Sequence, residues 1–93
     1  MEQIERIRYM ENLFDFSLEA IKESPMKQDV YNKAKEAIDI LSEYYSSDNW
    51  KQDFADDELG LLTHNLKRGV LSEDGIWNLL ADWKETEKSF AEK

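Results

Sequence analysis

The chain has no cysteine, one proline and three glycines in its 93 residues. Without a thiol there can be no disulfide, no thiolate zinc site and no cysteine-held iron–sulfur cluster. His64 is the single histidine, and one histidine without cysteine cannot build a zinc site of the usual nitrogen and sulfur type. It is expected in a surface loop. Cations are also scarce, 12 Lys and Arg against 21 Asp and Glu, for a formal net charge of −9. Such a surface repels phosphate backbones and anionic head groups, so neither nucleic acid nor a membrane is expected as a partner. It suits solubility and basic partners, and it permits an acidic mimic of nucleic acid. No apolar run approaches the roughly 18 residues of a membrane span. The first residues, MEQIERIR, are charged from Glu2 onward and lack the apolar stretch of a secretory signal, so a cytoplasmic location is expected. There is no phosphate-cradling glycine loop and no G-x-S-x-G elbow. No catalytic residue, cofactor or metal ligand is therefore assigned.

What is present is enough for a core. Apolar residues make up 41% of the chain and include three Trp, four Phe and four Tyr. That excludes a disordered tract, and the length is that of a single all-helical domain, residues 1–93. No segment alternates with period two. Ile7, Met10, Phe14, Leu18 and Ile21 recur at three and four, which predicts a helix over about 2–23. A second series, Tyr9, Leu13, Phe16 and Ala20, lies more than a quarter-turn from the first at ~100° per residue. The first helix therefore has more apolar surface than one partner can cover. Ser24 and Pro25 suit an N-cap and a first helical position, so a second helix is expected over about 25–45. Its one apolar face is Val30, Ala34, Ala37, Ile38, Leu41 and Tyr45. The two should fold back as an antiparallel hairpin.

A short third helix is expected over about 48–59, starting after the candidate caps Ser46, Ser47 and Asp48 and ending at a left-handed Gly60. Residues 61–71 read as loop or single turns. Gly69 is expected with positive φ, and Val70 and Leu71 as an apolar plug. Ser72 caps a fourth helix, with Glu73 and Asp74 in its first turn and Ile76, Leu79, Leu80 and Trp83 on its inner face. The fold class is all-α, a small bundle of four helices: two long, one short, one C-terminal.

One local rule is broken. Asp56, Asp57 and Glu58 crowd the C-terminal end of the third helix, where the helix dipole disfavours acids. A compensating cation or a site is expected there. Lys67 and Arg68 are the nearest cations, and the rigid fork of Arg68 suits a carboxylate on Asp57 or Asp53. The other reading is a hard cation held by Asp53, Asp56 and Asp57, which share a face at i, i+3 and i+4. The spacing is not that of a calcium loop. Trp50, Asp53, Asp56, Asp57, Glu58, Lys67, Arg68 and Ser72 form the candidate cluster.

The same stretch carries a resemblance. Tyr44-Tyr45, Ser47, Trp50, Asp53-Phe54, Asp57-Glu58 and Gly60, then Leu66 through Asp74 and Ile76, resemble a small bacterial family, domain of unknown function 4298. Arg6-Ile7 and Met10-Glu11 match its "RIxxME"-like start. Thr63 departs from the pattern, standing where a proline is expected. The family has no assigned activity. The resemblance implies a bacterial, cytoplasmic, standalone helical protein, and it carries over no catalytic residue.

Two classes of function remain. One is a protein-interaction or regulatory module, docking on an unknown partner or on itself through Tyr9, Leu13, Phe16 and Trp77, aromatic surface beyond the needs of the core. The other is a divalent-cation-dependent enzyme or sensor using the acids of residues 53–58. Helix 1 is expected at the centre, with helix 4 covering Leu13 and Phe16.

Overall fold

In the computed structural model, which describes residues 1–23 and 25–91, the chain forms four α-helices and one 3-10 turn. They are α1 (Gln3–Lys22), α2 (Gln28–Tyr45), α3 (Asp48–Glu58), the 3-10 turn Gly69–Leu71 and α4 (Gly75–Ala91). No strand occurs among the described residues, and none of the helices is long and apolar enough to cross a membrane. The fold is a small all-α bundle, as the periodicity predicts.

α1 buries Ile7, Met10, Phe14 and Ser17 at three-four spacing, together with Glu11 and Ala20. Ser17 sits deep in the bundle without an orphaned hydroxyl, because its Oγ donates to the Leu13 carbonyl at 2.8 Å, the usual refuge of a mid-helix serine. α1 makes its widest contact with α2, and it also touches α4 and the 3-10 turn. α2 presents Ala34, Ala37, Ile38, Leu41 and Tyr44 inward. α4 adds Ile76, Leu79 and Trp83. Tyr31 of α2 stacks on Trp83 at 5.3 Å and on Phe90 at 4.1 Å, joining α2 to the far half of α4.

The joint between α1 and α2 differs from expectation. α2 begins at Gln28 behind Lys27, so Pro25 is not its first residue. The cap expected at Ser24 lies outside the described residues. The reason is Met26, which is buried in the core at 8% exposure. Turning that side chain inward uses up the residues that would otherwise form the first turn of α2.

α3 starts and stops on local chemistry. Ser47 Oγ accepts from Trp50 N at 3.2 Å, a side-chain N-cap. At the other end Gly60 has φ +71, while Gly60 N donates to Asp57 O at 3.0 Å and Leu61 N to Asp56 O at 2.9 Å. Those two bonds and the left-handed glycine make a Schellman C-cap. Gly69, by contrast, does not have positive φ; among the described residues only Gly60 does. A side chain at Gly69 is excluded by neighbours, since a Cβ there would lie 2.8 Å from the Phe14 ring and 3.2 Å from Glu11 Oε1.

Candidate functional site

The eight residues singled out around α3 do not converge on one point. Asp53 is completely buried. Its carboxylate accepts from Arg6 Nε at 2.9 Å and Arg6 Nη2 at 2.6 Å, from Tyr44 Oη at 2.6 Å and from Gln3 Nε2 at 3.0 Å. Burial on its own would raise the pKa of this carboxyl, but the four donors outweigh it and hold the group below the usual carboxylate range. The Tyr44 hydroxyl is pushed the other way, by burial first and then by donating to Asp53. Arg6 is held charged chiefly by its bond to Asp53.

The remaining acids have other partners. Asp56 accepts from Gln3 Nε2 at 2.7 Å and from Gln52 Nε2 at 2.8 Å. Asp57 pairs with Arg68, whose Nε donates to it. The same guanidinium donates to the Leu66 and Thr63 carbonyls, both at 2.8 Å. Arg68 thus ties residues 63–68 into one loop and fastens it to the end of α3. Glu58 is exposed. Lys67 turns away from α3 and reaches Asp15 of α1 at 2.9 Å, which raises the Lys67 pKa. So one of the two expected cations compensates α3 and the other does not. Among the described residues no three His, Cys, Asp or Glu side chains are placed to hold a metal ion.

The rest of the cluster is structural in its contacts. Trp50 Nε1 donates to the Val70 carbonyl at 2.8 Å. Its ring stacks on Phe54 at 5.0 Å and meets the edge of Tyr45 at 4.9 Å. Ser72 Oγ accepts from Gly75 N at 3.0 Å and donates to Gly69 O at 2.9 Å. It caps α4, whose regular part begins at Gly75, so Glu73 and Asp74, expected in its first turn, stand just before it.

The sequence reading missed Gln3, Arg6, Tyr44 and Glu11. Glu11 is 4% exposed and its Oε1 accepts from Val70 N at 2.6 Å, so it holds the 3-10 turn against α1. Burial pushes the Glu11 carboxyl up, against the opposing pull of the Val70 N–H. One signal could have found it: Glu11 stands four after Ile7, about 40° from it, an acid at the edge of the buried arc of α1. No comparable signal links Arg6 to Asp53, since they lie 47 positions apart.

The second group of candidates is on the surface. α4 does not cover the second stripe of α1 as expected. Phe16 and Tyr9 remain 38% and 39% exposed, Leu13 is partly buried against the core and Ala20 is 3% exposed. The stripe splits because its members are not at one angle. At ~100° per residue, Tyr9 and Phe16 lie about 40° further from the buried arc than Leu13 and Ala20. Trp77 is 63% exposed. It rims a groove of about 410 Å³ between α2 and α4, floored by Ile38, Leu80 and Trp83, with Asp39, Lys84 and Glu87 among its lining.

No curated protein and no solved structure matches this chain. A family model does, the one described as Domain of unknown function (DUF4298), over residues 7–93. The match includes the acids of α3, the loop fastened by Arg68 and the cap of α4, and the chain belongs to that family.

Proposed function

We propose that this chain is a protein-interaction module whose contact surface is the outward face of α1. The observation that carries the reading is the pair Tyr9 and Phe16. They are exposed at 39% and 38% although the opposite arc of the same helix is packed by α2, α4 and the 3-10 turn. Large aromatic side chains left in water cost free energy in the isolated molecule, and they are enriched where proteins meet. The acids of α3 support no competing reading, because Asp53, Asp56 and Asp57 are each engaged by side chains of the chain itself. Phe16→Ala tests the proposal. Phe16 is 38% exposed, so losing its part-buried ring should cost about 1–2 kcal/mol, less than the roughly 3–5 of a core ring. Capture of a partner, or the sedimentation coefficient if the partner is a second copy, should change. A variant unchanged in stability, sedimentation and capture would remove this face from consideration.

A further inference from the structure

α4 has an outward seam whose charge is ordered from end to end. Asp74, Trp77, Ala81, Lys84 and Lys88 follow one another at spacings of three, four, three and four, the rhythm along which two helices pack. The seam lies away from Ile76, Leu79 and Trp83, by which α4 enters the core. Trp77 is 63% exposed, and among the described residues its indole has no hydrogen bond and no ring partner. One turn on, the small Ala81 is exposed at the groove of about 410 Å³ between α2 and α4. Asp74, Lys84 and Lys88 are exposed too, and none of them is in an ion pair among the described residues. Glu87, by contrast, is turned to α2, where it accepts from Tyr31 Oη at 3.3 Å. An acid at the start and lysines toward the end suit the dipole of α4 itself. The dipole gives no reason for an unpartnered indole between them.

We propose that this seam is a homodimer contact, in which α4 packs antiparallel on α4 of a second copy across a two-fold axis. The register that sets Trp77 of each copy opposite Ala81 of the other also sets Asp74 opposite Lys84. One alignment thus places a large side chain over a small one and an acid against a base. Each match occurs twice, as a contact between identical faces requires. Parallel pairing fails on both counts, since it stacks Trp77 on Trp77 and Lys84 on Lys84. Each indole enters the recess beside Ala81, whose apolar floor is Ile38, Leu80 and Trp83. Tryptophan is enriched at interfaces for the apolar area that it buries there. The net charge of −9 on each copy opposes association through solvent, but at 0.15 M salt that repulsion is screened beyond about 8 Å. The opposite charges of the seam meet inside that range. The contact does not involve Tyr9 or Phe16, so it stands or falls apart from the interaction reading of α1.

Sedimentation equilibrium on the full chain at 0.15 M salt tests the proposal, with circular dichroism to confirm that each variant keeps its helices. The parent should dimerise reversibly with a Kd below about 1 mM. A chain that stays monomeric up to that concentration overturns the proposal. Trp77→Ala removes no hydrogen bond among the described residues, and it should weaken dimerisation at least about tenfold. Asp74→Lys and Lys84→Glu should each weaken it about tenfold or more, because each sets like charges against one another at both ends of the seam. An equimolar mixture of these two variants should recover the dimer, since every such contact is again between opposite charges. Lys33→Glu makes the same change of net charge as Lys84→Glu at an exposed position of α2, and it should weaken dimerisation less than about threefold. A mixture that fails to associate, an equal loss with Lys33→Glu, or a dimer insensitive to Trp77→Ala overturns the proposal. So does a dimer that Phe16→Ala breaks and Trp77→Ala leaves intact, which would move self-association to α1.

Discussion

Arg6→Met is the perturbation that most directly probes what holds α3 in place. The exposed fraction of the Arg6 side chain is 17% and that of Asp53 is 0%. The methionine keeps the apolar stem of the arginine and removes two of the four donors to a fully desolvated carboxylate. Tyr44 and Gln3 remain, so the charge is not stranded entirely. Removing one partner of a buried ion pair costs about 3–5 kcal/mol. For a domain of this size roughly 4–8 °C is lost per kcal/mol, so the melting temperature should fall by at least about 12 °C. The pH dependence gives an independent check. In the parent the folded-state pKa of Asp53 is depressed, so its stabilisation is present above the ordinary carboxylate value. It is lost as pH falls through the lower folded value. In the variant the opposing effect of burial dominates, and the carboxyl takes up a proton more readily. The gap between parent and variant should therefore be widest near neutrality and narrow in acid. Urea denaturation followed by far-UV circular dichroism at pH 7 and pH 4 measures both. A loss below about 1 kcal/mol at pH 7, or a gap that does not change with pH, would refute the account.

Arg68→Ala should destabilise by about 1.5–3 kcal/mol, less than a fully buried pair because the Arg68 side chain is 36% exposed. Faster amide exchange at residues 63–68 would mark the released loop, and unchanged exchange would contradict its role there. Ser72→Ala should cost ~1 kcal/mol through loss of the acceptor for Gly75 N; an unchanged urea midpoint would refute the cap. Glu11→Gln keeps an acceptor for Val70 N and removes a buried charge, so at pH 7 it should fall within ~1 kcal/mol of the parent or above it. The folded-state pKa of Glu11 is raised, chiefly by burial. Its stabilisation is thus fully present below the ordinary carboxylate value and lost as pH rises through the folded one, and the glutamine should abolish that component. A cost above about 2 kcal/mol at pH 7 would mean the ionised form is needed.

Much of the fold is local chemistry and therefore legible along the chain. The stripe from Ile7 to Ile21, the cap at Ser47 and the left-handed Gly60 each depend on residues within a turn or two. The Asp57–Arg68 pair could also be read, because acids at the wrong end of a helix need a cation and Arg68 is near in sequence. Arg6 and Asp53 could not be paired this way. Each looks like an ordinary charged helix residue until the bundle brings them together. Gly69 misled for a related reason: its lack of a side chain answers to Phe14 and Glu11, far away in sequence, and not to its own backbone. At Pro25 a strong local signal lost to a tertiary one, the burial of Met26. The angle of the second stripe on α1 was legible. Which part of it stays in water depended on where α4 lands.

α3 shows how the frame and the contact face divide the chain. Asp53 is the only fully buried residue of that helix, and the helix's apolar hold on the core is the partly buried Trp50, so apolar burial alone does not fix its position. Position comes instead from directional ties: Asp53 to Arg6 and Tyr44, Asp57 to Arg68, the Trp50 indole to Val70, and Glu11 to the same Val70 from the α1 side. Such ties add less net stability than their number suggests, since each charge is taken out of water, but they discriminate against shifted registers. The family match over residues 7–93 takes in most of these ties and the caps that go with them, though Arg6 and Gln3 stand before it. Tyr9 and Phe16 belong to none of the ties. A substitution there removes no cap, ion pair or hydrogen bond among the described residues, so it should change what the chain meets while leaving how it folds intact. Paired measurements on Phe16→Ala and Arg6→Met separate the two: the first should alter association with little loss of stability, and the second the reverse.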